Sequence, residues 1–228
     1  MALKVAVEIG KQYLKVVSVQ SQGIQSKLSD CIIEPIPSFT DEQIAQKISS
    51  IFTREKIRVK FVTVCLSRDS VTIKNLHLPS RNQQEINQML DLHIARVVPY
   101  KKDEIVYAYQ SLGVDEMGYS RTILAIAHKD IIKRQENILE KASLFIDKVT
   151  LSSYGIWQWA VRSFGSEIKE DELYILLDFD STFTDFIVFS QKNLLAFSKP
   201  LLIKSLRMSR RWILMIASFI PATSCSST

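Results

Sequence analysis

The order of apolar and polar segments predicts an α/β fold for this chain of 228 residues. Residues 5–19 contain two apolar, β-branched runs on either side of a short polar turn, which indicates two neighbouring strands. Residues 26–33 and 61–67 predict two further strands, and a helix with one apolar face lies between them. Strands and a helix in this order form the layer of an α/β domain.

The helix between the third and fourth strands has a defined start and a defined buried face. Thr40 and Gln43, three residues apart, form a capping box in which each side chain satisfies a backbone N–H of the first turn. The apolar residues that follow recur at helical spacing: Ile44, Ile48, Ile51 and Phe52. We therefore expect a helix that begins at Thr40 and buries this face.

The middle of the chain predicts a separate small subdomain. Residues 71–78 are extended, and Ser80 with Gln83 forms a second capping box at the start of a helix over 81–98. Two strands, a second helix and a short strand follow, at 105–112, 121–127, 129–144 and 149–151. This unit has its own small core, so we expect a subdomain over 78–152 that is inserted into the first one.

The last third of the chain predicts a helix, three strands and then a segment of different composition. A helix over 154–164 precedes an acidic loop at 167–172, which indicates a linker. Three strands are predicted after it, at 173–178, 184–189 and 194–198. Residues 204–228 are first basic, then apolar, then rich in serine and threonine, so we expect an aberrant or disordered tail from a truncated or frame-shifted terminus.

The charge distribution excludes a nucleic-acid-binding surface. The net charge is +5, but Lys204, Arg207, Arg210 and Arg211 supply four of these charges. The first 200 residues are therefore close to neutral and lack the electrostatic footprint that a polyanion needs. The three cysteines are isolated and odd in number, which favours a reducing compartment. Because the start runs straight into a strand without a leader, we expect a cytoplasmic protein.

Several classes of catalytic or metal site are excluded by their spacing requirements. His77, His93 and His128 stand at unrelated spacings without a cluster of cysteines or acids, which argues against zinc. The sequence has no Gly-x-x-x-x-Gly-Lys-Ser/Thr loop, so it does not encode a Walker-type ATPase. It also supplies no Ser/His/Asp or Cys/His arrangement, and we therefore nominate no catalytic residue.

The polar turn of the first hairpin is the candidate site that the residues themselves supply. Glu8 ends one strand, Gly10 and Lys11 follow it in the turn, and Lys15 lies in the next strand. A carboxylate beside the backbone amides of a turn can hold a phosphate and its metal ion. An ordinary hairpin, with Lys15 as a paired surface lysine, is the alternative that this stretch leaves open.

A second strand–turn–strand unit with a carboxylate stands about 170 residues after the first. Together, Glu8–Lys15 and Asp178–Asp185 resemble the two phosphate-binding hairpins of the actin-like ATPase superfamily, in which each half of the molecule supplies one hairpin. The resemblance implies ATP and Mg²⁺ as cofactors. It places the phosphate-binding positions at Glu8, Gly10, Lys11, Lys15, Asp178, Ser181 and Thr184.

The stretch between the hairpins narrows this resemblance to one family. Leu78-Pro79, Glu85, Val98-Pro99-Tyr100 and residues 106–110 resemble the PilM family of cytoplasmic actin-like proteins of type IV pilus assembly, which are relatives of the division protein FtsA. The resemblance covers about residues 3–200 and implies an actin-like (ribonuclease H-like) fold with an inserted 1C-type α+β subdomain and an incomplete second half. The implied boundaries are 1–77 for subdomain 1A, 78–152 for 1C, 153–166 for a helix returning to 1A, 167–203 for part of 2A, and 204–228 for the tail.

Three departures from that family argue against a working nucleotide site. Glu8 stands where the family has aspartate, and Asp180 stands where it has glycine. Asp180 removes a residue suited to an unusual turn and adds negative charge where phosphate oxygens would approach. The chain also ends before the family's 2B subdomain and its glycine-rich adenosine-binding loop. We therefore expect both hairpins to be structural, without ATP and Mg²⁺ bound to this chain.

The PilM resemblance also implies a protein partner. In that family the cytoplasmic N-terminal peptide of PilN, a bitopic inner-membrane protein, binds in a cleft of the kind expected between the first layer and the inserted subdomain. Extended peptides bind through strand edges and apolar pockets. The residues here that suit such a cleft are Leu76, Leu78, Val98, Pro99, Tyr100, Tyr107 and Tyr109. The alternative is that these residues pack only within the subdomain core and its linkers.

These observations favour a non-catalytic function. We expect a cytoplasmic scaffold of type IV pilus assembly, or of the related type II secretion system, held at the periphery of the inner membrane through a PilN-like partner. Self-association is compatible with the resemblance. Two alternatives stay open: an actin-like ATPase or kinase with Glu8, Lys15 and Asp178 around Mg-ATP, and an FtsA-like division adaptor anchored by its basic and apolar tail.

Overall fold

A computed structural model describes most of the chain. The described residues are 2–22, 25–169, 172–179, 183–190, 194–197, 201–202 and 212–218. The chain forms two compact units, each built from two separate stretches of sequence. The first unit comprises Met1–Ser70 and Asp130–Ser152, and the second comprises Val71–Lys129 and Ser153–Thr228.

Four helices are interspersed among the strands of the described residues, which gives a mixed α/β fold. The strands are β1 (Ala2–Ile9), β2 (Tyr13–Gln22), β3 (Gln25–Pro35), β4 (Phe61–Leu66), β5 (Thr72–Leu78), β6 (Ile105–Val114), β7 (Ser120–His128), β8 (Phe145–Leu151), β9 (Leu173–Phe179), β10 (Phe183–Phe189), β11 (Leu194–Phe197), β12 (Leu201–Leu202) and β13 (Trp212–Ser218). The helices are α1 (Asp41–Arg54), α2 (Gln83–Val97), α3 (Lys129–Lys141) and α4 (Ser152–Phe164). Over the described part of the chain, none of these helices has both the length and the apolar character needed to cross a bilayer.

The first unit is built on a five-stranded sheet in the order β3-β2-β1-β4-β8. Strands β1, β2 and β3 are antiparallel neighbours, because short turns connect them. Strands β4 and β8 are parallel to their neighbours, since each returns to the sheet after a crossover that contains a helix. This sheet carries the first candidate hairpin, β1–β2.

Alternation along the hairpin strands gives this sheet one buried face. Val5, Val7, Leu14 and Val16 are all buried, and burying one such aliphatic side chain contributes about 1.5–3 kcal/mol. Helix α1 buries the predicted apolar face, which comprises Ile44, Ile48, Ile51 and Phe52. The prediction for this helix is confirmed.

The predicted capping box of α1 is also confirmed. The backbone N–H of Gln43 donates to Thr40 Oγ1 at 3.3 Å, and the backbone N–H of Thr40 donates to Gln43 Oε1 at 2.8 Å. Thr40 has the extended backbone expected of an N-cap residue. The capping box joins residues only three positions apart, so its geometry follows directly from the local sequence.

The inserted stretch of the second unit carries a three-stranded antiparallel sheet in the order β5-β7-β6, together with α2. One face of α2 buries Ile86, Leu90 and Ile94, and these side chains belong to a core cluster that also holds Leu124 and Ile126 of β7. The core is therefore that of a small α+β layer.

The expected capping box at Ser80 is wrong, because the helix starts two residues later. The N-cap is Asn82, whose Oδ1 accepts the backbone N–H of Gln84 at 2.8 Å. The hydroxyl of Ser80 accepts the backbone N–H of Asn82 at 2.9 Å and donates to Glu85. Ser80 therefore organises the turn before the helix, a role that competes with capping in residues of this type.

Residues 129–151 differ most from expectation, because we expected them to belong to an inserted subdomain over 78–152. In the structure β8 pairs in parallel with β4, and α3 and β8 lie in the first unit. Strand β8 is also longer than the predicted 149–151, since it begins at Phe145. It is a half-exposed edge strand with Asp147 and Lys148 inside it, so it lacks the apolar run on which the prediction relied. The subdomain names remain a prediction.

The remaining part of the second unit has a sheet in the order β11-β10-β9-β13. Its core contains Tyr174, Leu176, Ile187, Phe189 and Leu194. Strand β13 pairs antiparallel with β9 along its whole length. This strand falls within the expected tail 204–228, where we expected no regular structure, and the rest of that tail lies outside the described residues.

The capping box gives a direct test of the first unit. Thr40→Ala removes the acceptor for the Gln43 N–H and should lower the free energy of unfolding by about 1 kcal/mol. Thr53→Ala is the matched control on the same helix, because the exposed Thr53 hydroxyl only donates to the carbonyl oxygen of Ser49 and its loss should cost less than about 0.5 kcal/mol. Urea denaturation measures both values. Equal effects of the two variants would show that the box does not stabilise the helix.

Candidate functional site

The first candidate hairpin holds a cross-strand ion pair. Glu8 and Lys15 are directly opposite in the β1–β2 register, and Lys15 Nζ lies 2.7 Å from Glu8 Oε1. Both side chains are largely buried, with 10% of Glu8 and 12% of Lys15 exposed. A buried carboxylate of this kind requires a compensating cation, and Lys15 supplies one.

The turn of the hairpin is closed by a backbone contact at Gly10. The Gly10 N–H donates to the carbonyl oxygen of Tyr13 at 3.0 Å. A Cβ at Gly10 would lie 3.1 Å from the same oxygen, so a larger residue would crowd this tight turn. The next residue, Lys11, forms an ion pair with Asp69 at 2.7 Å between Nζ and Oδ2. The turn is therefore tied to the 3-10 turn Arg68–Ser70 that follows β4.

The second candidate hairpin, β9–β10, brings two buried carboxylates together. Asp178 and Asp185 are opposite each other in the register, and each is 1% exposed. Ser153 Oγ donates to Asp185 Oδ2. Thr184 is also buried, and among the described residues no partner forms a hydrogen bond with its Oγ1. Ser181 and Asp180 lie outside the described residues.

The two hairpins differ in how their charges would meet a phosphate group with its metal ion. In the first hairpin, Lys11 and Lys15 each pair with a carboxylate, Asp69 and Glu8 respectively. In the second hairpin, Asp178 and Asp185 would repel a phosphate unless a metal ion lay between them. Among the described residues, no group of three or more histidine, cysteine, aspartate or glutamate side chains is arranged to hold a metal ion.

Next to the first hairpin the structure contains a cavity that the sequence did not predict. It has a volume of about 380 Å³ and lies within the first unit. We call it the hairpin pocket. Its lining comes from the hairpin turn, the β3–α1 loop, the start of α1, the end of β4 with the following 3-10 turn, and α3: Ile9, Gly10, Lys11, Ile36, Ser38, Phe39, Ile44, Leu66, Ser67, Asp69, Ser70, Ile131, Arg134 and Gln135.

The charged residues that line the hairpin pocket are paired with neighbouring side chains. Asp69 accepts from Lys11 on one oxygen and from the Ser67 hydroxyl at 2.7 Å on the other. Arg134 donates from Nη2 and Nε to Asp41 Oδ1, at 2.8 and 3.0 Å. Gln135 also lines the pocket, but its Oε1 is buried, and within the part of the chain that the structure describes this atom has no hydrogen-bond partner. The charged groups of the pocket are thus paired, and the Gln135 oxygen is enclosed by protein.

The residues expected to bind a partner divide into a buried group and an accessible group. Leu76, Leu78 and Val98 belong to the apolar core shared by β5, α2 and their neighbours. Pro99 and Tyr100 are exposed, as is Tyr107, and Tyr109 is half-buried. The alternative of core packing thus describes the first three residues and also Tyr109, which is partly buried against the same core, while Pro99, Tyr100 and Tyr107 are accessible to a partner.

The three tyrosines lie along strand β6 and its approach. The Tyr107 hydroxyl donates to Asp91 Oδ1 at 2.9 Å, and the Tyr109 hydroxyl donates to Asn87 Oδ1 at 2.7 Å. Tyr100 packs edge-on against the His128 ring, with 4.9 Å between ring centroids, and His128 is opposite Ile105, the first residue of β6. The rings are therefore held in place along one strand.

An ion pair also joins α2 to the short 3-10 turn that precedes β6. Lys102 Nζ lies 2.8 Å from Asp91 Oδ2. Hydrogen bonding from Lys102, and then from Tyr107, lowers the pKa of Asp91 below its ordinary value. The hydrogen bond to the Asp91 carboxylate raises the pKa of Tyr107 above that of a free tyrosine. Tyr107 therefore stays a neutral donor at physiological pH, and its ring orientation is fixed.

Sequence reasoning missed the hairpin pocket for a physical reason. Its lining residues come from five separate segments, and nothing in their spacing brings them together before the sheet forms. Gln135 is the one partial signal, because it is a buried polar residue in the otherwise charged start of α3. Recognising it from the sequence would have required knowing which face of α3 is buried.

Comparisons with known proteins agree with this fold. The family model described as "Type IV pilus assembly protein PilM" matches residues 6–198. A structure described as "PilM-PilN type IV pilus biogenesis complex" matches with a TM-score of 0.75 and 20% identity, covering 87% of this chain and 61% of that chain. This chain therefore spans less than two thirds of the length of that relative. Among curated protein sequences, none matches.

Two further structures share the fold at lower similarity. One is the cytoplasmic domain of EpsL, an inner-membrane component of the type II secretion system of Vibrio cholerae, with a TM-score of 0.53, 11% identity, and coverage of 89% of this chain and 71% of that chain. The other is a Bacteroides thetaiotaomicron protein with an actin-like ATPase fold, with a TM-score of 0.50, 9% identity, and coverage of 86% and 68%. At these identities the matches show a shared fold, and the predicted actin-like fold is confirmed.

The Glu8–Lys15 pair gives a test of the structural role of the first hairpin. Lys15→Met leaves the Glu8 carboxylate buried without its lysine and should lower the free energy of unfolding by about 3–5 kcal/mol. Replacing both residues, by Glu8→Leu with Lys15→Met, should restore most of this loss, because no buried charge remains. Lys4→Met on the neighbouring strand β1 is the matched control, since Lys4 is exposed. A cost for Lys15→Met no larger than that of the control would contradict a stabilising pair.

Proposed function

The chain belongs to the type IV pilus assembly PilM family, and we propose that within this family it acts as a cytoplasmic scaffold rather than as an enzyme. It binds the cytoplasmic N-terminal peptide of a PilN-like inner-membrane protein and is held at the inner membrane through that partner. The similarity to a structure described as a PilM–PilN complex supports this choice of partner. This chain covers 61% of the length of that relative, so the identity of the partner is carried over here as a proposal.

The observation that carries the proposal is the open edge of β6. This strand lies at the end of the β5-β7-β6 sheet, and within the described residues no strand pairs with its outer side. Such an edge presents backbone N–H and C=O groups to which an extended peptide can add as a further strand. Strand β6 pairs regularly with β7 from Ile105 to Ser111, before a register shift, and this stretch of the edge is sufficient for a short linear peptide.

The tyrosines beside this edge supply apolar contact area. Tyr100 is 47% exposed and Tyr107 is 38% exposed, so both rings are accessible to a bound strand. Side chains on neighbouring strands interact directly, and aromatic residues are the strongest contributors. The bonds from Tyr107 to Asp91 and from Tyr109 to Asn87 hold the rings before binding. Such preorganisation reduces the entropy lost when a peptide binds.

The ion pairs of the first hairpin support a non-catalytic function. Lys11 and Lys15 are each engaged by a carboxylate, so a phosphate would compete with Asp69 and Glu8 for them. A scaffold needs no such exchange, because it uses the hairpin only as part of its sheet. The proposal therefore includes no step that involves a nucleotide.

A peptide titration tests the proposed partner. A synthetic peptide that copies the cytoplasmic start of the PilN-like protein should bind the full chain with a Kd on the order of micromolar. Tyr107→Ala should weaken binding about five- to thirtyfold through the loss of one aromatic contact. Tyr119→Ala is the matched control, because Tyr119 is similarly exposed but lies in the β6–β7 turn, beyond the last residue of β6. Isothermal titration calorimetry measures all three affinities.

Modified peptides distinguish strand addition from side-chain docking alone. N-methylation of alternate peptide amides removes the donors that would face β6, so one of the two alternating patterns should abolish binding while the other has little effect. Equal binding of both methylated peptides would contradict strand addition. Failure of the unmodified peptide to bind would contradict the proposed partner.

A thermal-shift measurement tests the absence of a nucleotide step. Millimolar Mg-ATP should leave the unfolding midpoint of the chain unchanged relative to Mg²⁺ alone. A ligand present at 100 times its Kd would stabilise the folded state by about 2.7 kcal/mol and would raise the midpoint measurably. Such a rise would favour the ATPase alternative over the scaffold.

A further inference from the structure

We propose that one end of the five-stranded sheet binds the surface of an anionic lipid bilayer. This end, which we call the basic sheet end, comprises residues 2–4, 26–28, 55–61 and 145–148 of the first unit. These residues lie at or just before the starts of β1, β3, β4 and β8, whereas the hairpin turn lies at the opposite end of β1. The inference goes beyond the proposed function, because the ligand is lipid and the open edge of β6 belongs to the second unit.

The first observation behind this proposal is a group of exposed apolar side chains. Phe61 and Phe145 are opposite each other in the β4–β8 register, and their ring centroids are 5.9 Å apart. Phe61 is 62% exposed, Phe145 is 47% exposed, and Leu28 on the other edge strand is 57% exposed. A single exposed apolar residue is ordinary, whereas several on one surface indicate an interaction site.

The strand register places these apolar side chains on one face of the sheet. Leu28 is opposite Val19, and Val19 is opposite Lys4. The parallel register of β1 and β4, continued by two residues toward their starts, aligns Lys4 with Phe61. Residues directly opposite each other share a face, so one row crosses all five strands: Leu28, Val19, Lys4, Phe61 and Phe145. With strands about 4.8 Å apart, the row is about 19 Å long.

The second observation is a concentration of cations that no carboxylate neutralises. Six exposed basic residues lie at the basic sheet end, and none forms an ion pair with another described residue: Lys4, Lys27, Lys56, Arg58, Lys60 and Lys148. Elsewhere in the first unit, Lys11, Lys47 and Lys141 each bind a carboxylate. Asp147 is the only exposed acid in the four segments. The near neutrality of the first 200 residues therefore conceals a local excess of positive charge.

An anionic bilayer has the chemistry that matches both observations. Its phosphates spread negative charge over a plane, and each Lys or Arg close to that plane strengthens binding about fivefold. Exposed phenylalanine and leucine side chains enter the boundary between headgroups and acyl chains, so charge and insertion act together. A nucleic acid would also match the cations and could stack on the two rings, but it would leave the aliphatic Leu28 without a contact. The structure therefore favours lipid.

Vesicle flotation with the full chain tests this inference. The probe is a vesicle of phosphatidylethanolamine and phosphatidylglycerol in equal parts, and a neutral phosphatidylcholine vesicle is its control. The chain should float with the anionic vesicles only. Arg58→Glu with Lys60→Glu should weaken binding at least about tenfold, because each change places an acid where a cation meets lipid phosphate. Phe61→Ser with Phe145→Ser should weaken binding about tenfold through the loss of insertion.

Matched controls use the same kinds of substitution elsewhere in the chain. Lys133→Glu reverses an exposed charge outside the four segments, and Leu92→Ser removes an apolar side chain that is 67% exposed in the second unit. Neither should change vesicle binding. A variant with glutamine in place of the four basic residues between 204 and 211 should still bind. Circular dichroism should show that both double variants remain folded, because the four side chains that they change are exposed.

Salt and a competing polyanion complete the test. Raising the salt from about 0.1 M to 1 M shortens the Debye length from about 10 Å to 3 Å and should release the chain from the vesicles. Failure to float with anionic vesicles would overturn the inference, as would binding that is lost in the 204–211 variant but kept in both double variants. Binding to a single-stranded oligonucleotide in preference to the vesicles would replace lipid by nucleic acid. No PilN-like peptide is present in these experiments, so each of these failures leaves the proposed function standing.

Discussion

The parallel pairing of β4 with both β1 and β8 is the constraint on which the rest of the structure depends. Parallel neighbours cannot be joined by a tight turn, so the chain must leave the sheet after β4 and return to it. The path between β4 and β8 contains the inserted stretch Val71–Lys129 and helix α3. The inserted stretch therefore interrupts the first unit in the sequence. The segment that returns from it supplies helix α3, which lines the hairpin pocket.

The charged residues of the two candidate hairpins lie opposite, or in contact with, other charged residues of the same unit. In the first hairpin the lysines bind Glu8 and Asp69, while in the second hairpin Asp178 faces Asp185 across the ladder. In the first hairpin both lysines are therefore engaged by carboxylates of the same unit.

The elements that the sequence predicted well are those whose cause is local. The capping box of Thr40 and Gln43 and the buried stripe of α1 depend on spacings within one helix, and both are confirmed. Asn82 replaced Ser80 as the N-cap because either of these two polar residues, two positions apart, could serve, and only the path of the preceding turn decides between them. Strand β8 was underestimated because a half-exposed edge strand carries no apolar run.

In the candidate site, too, the sequence predicted the parts that are local in sequence and missed those that depend on distant residues. The hairpin turn with Glu8, Gly10 and Lys11 was visible from the sequence, because it lies within one short stretch. The partner of Lys11, Asp69, was not, since the two residues meet only when the end of β4 is aligned beside β1. The hairpin pocket depends on five segments and could not be inferred from any of them.

The late position of β8 in the sequence also affects when the first sheet can be completed during synthesis. About 80 residues separate the end of β4 from the start of β8, and at about 5–20 residues per second a ribosome takes roughly 4–16 s to make them. During this interval the nascent first unit has an open strand edge at β4, with Phe61 at its exposed end. The inserted β5-β7-β6 layer is complete before that edge is covered. Chaperone protection of the nascent chain would therefore matter most while this intermediate, with one layer formed and the first sheet still open, is on the ribosome.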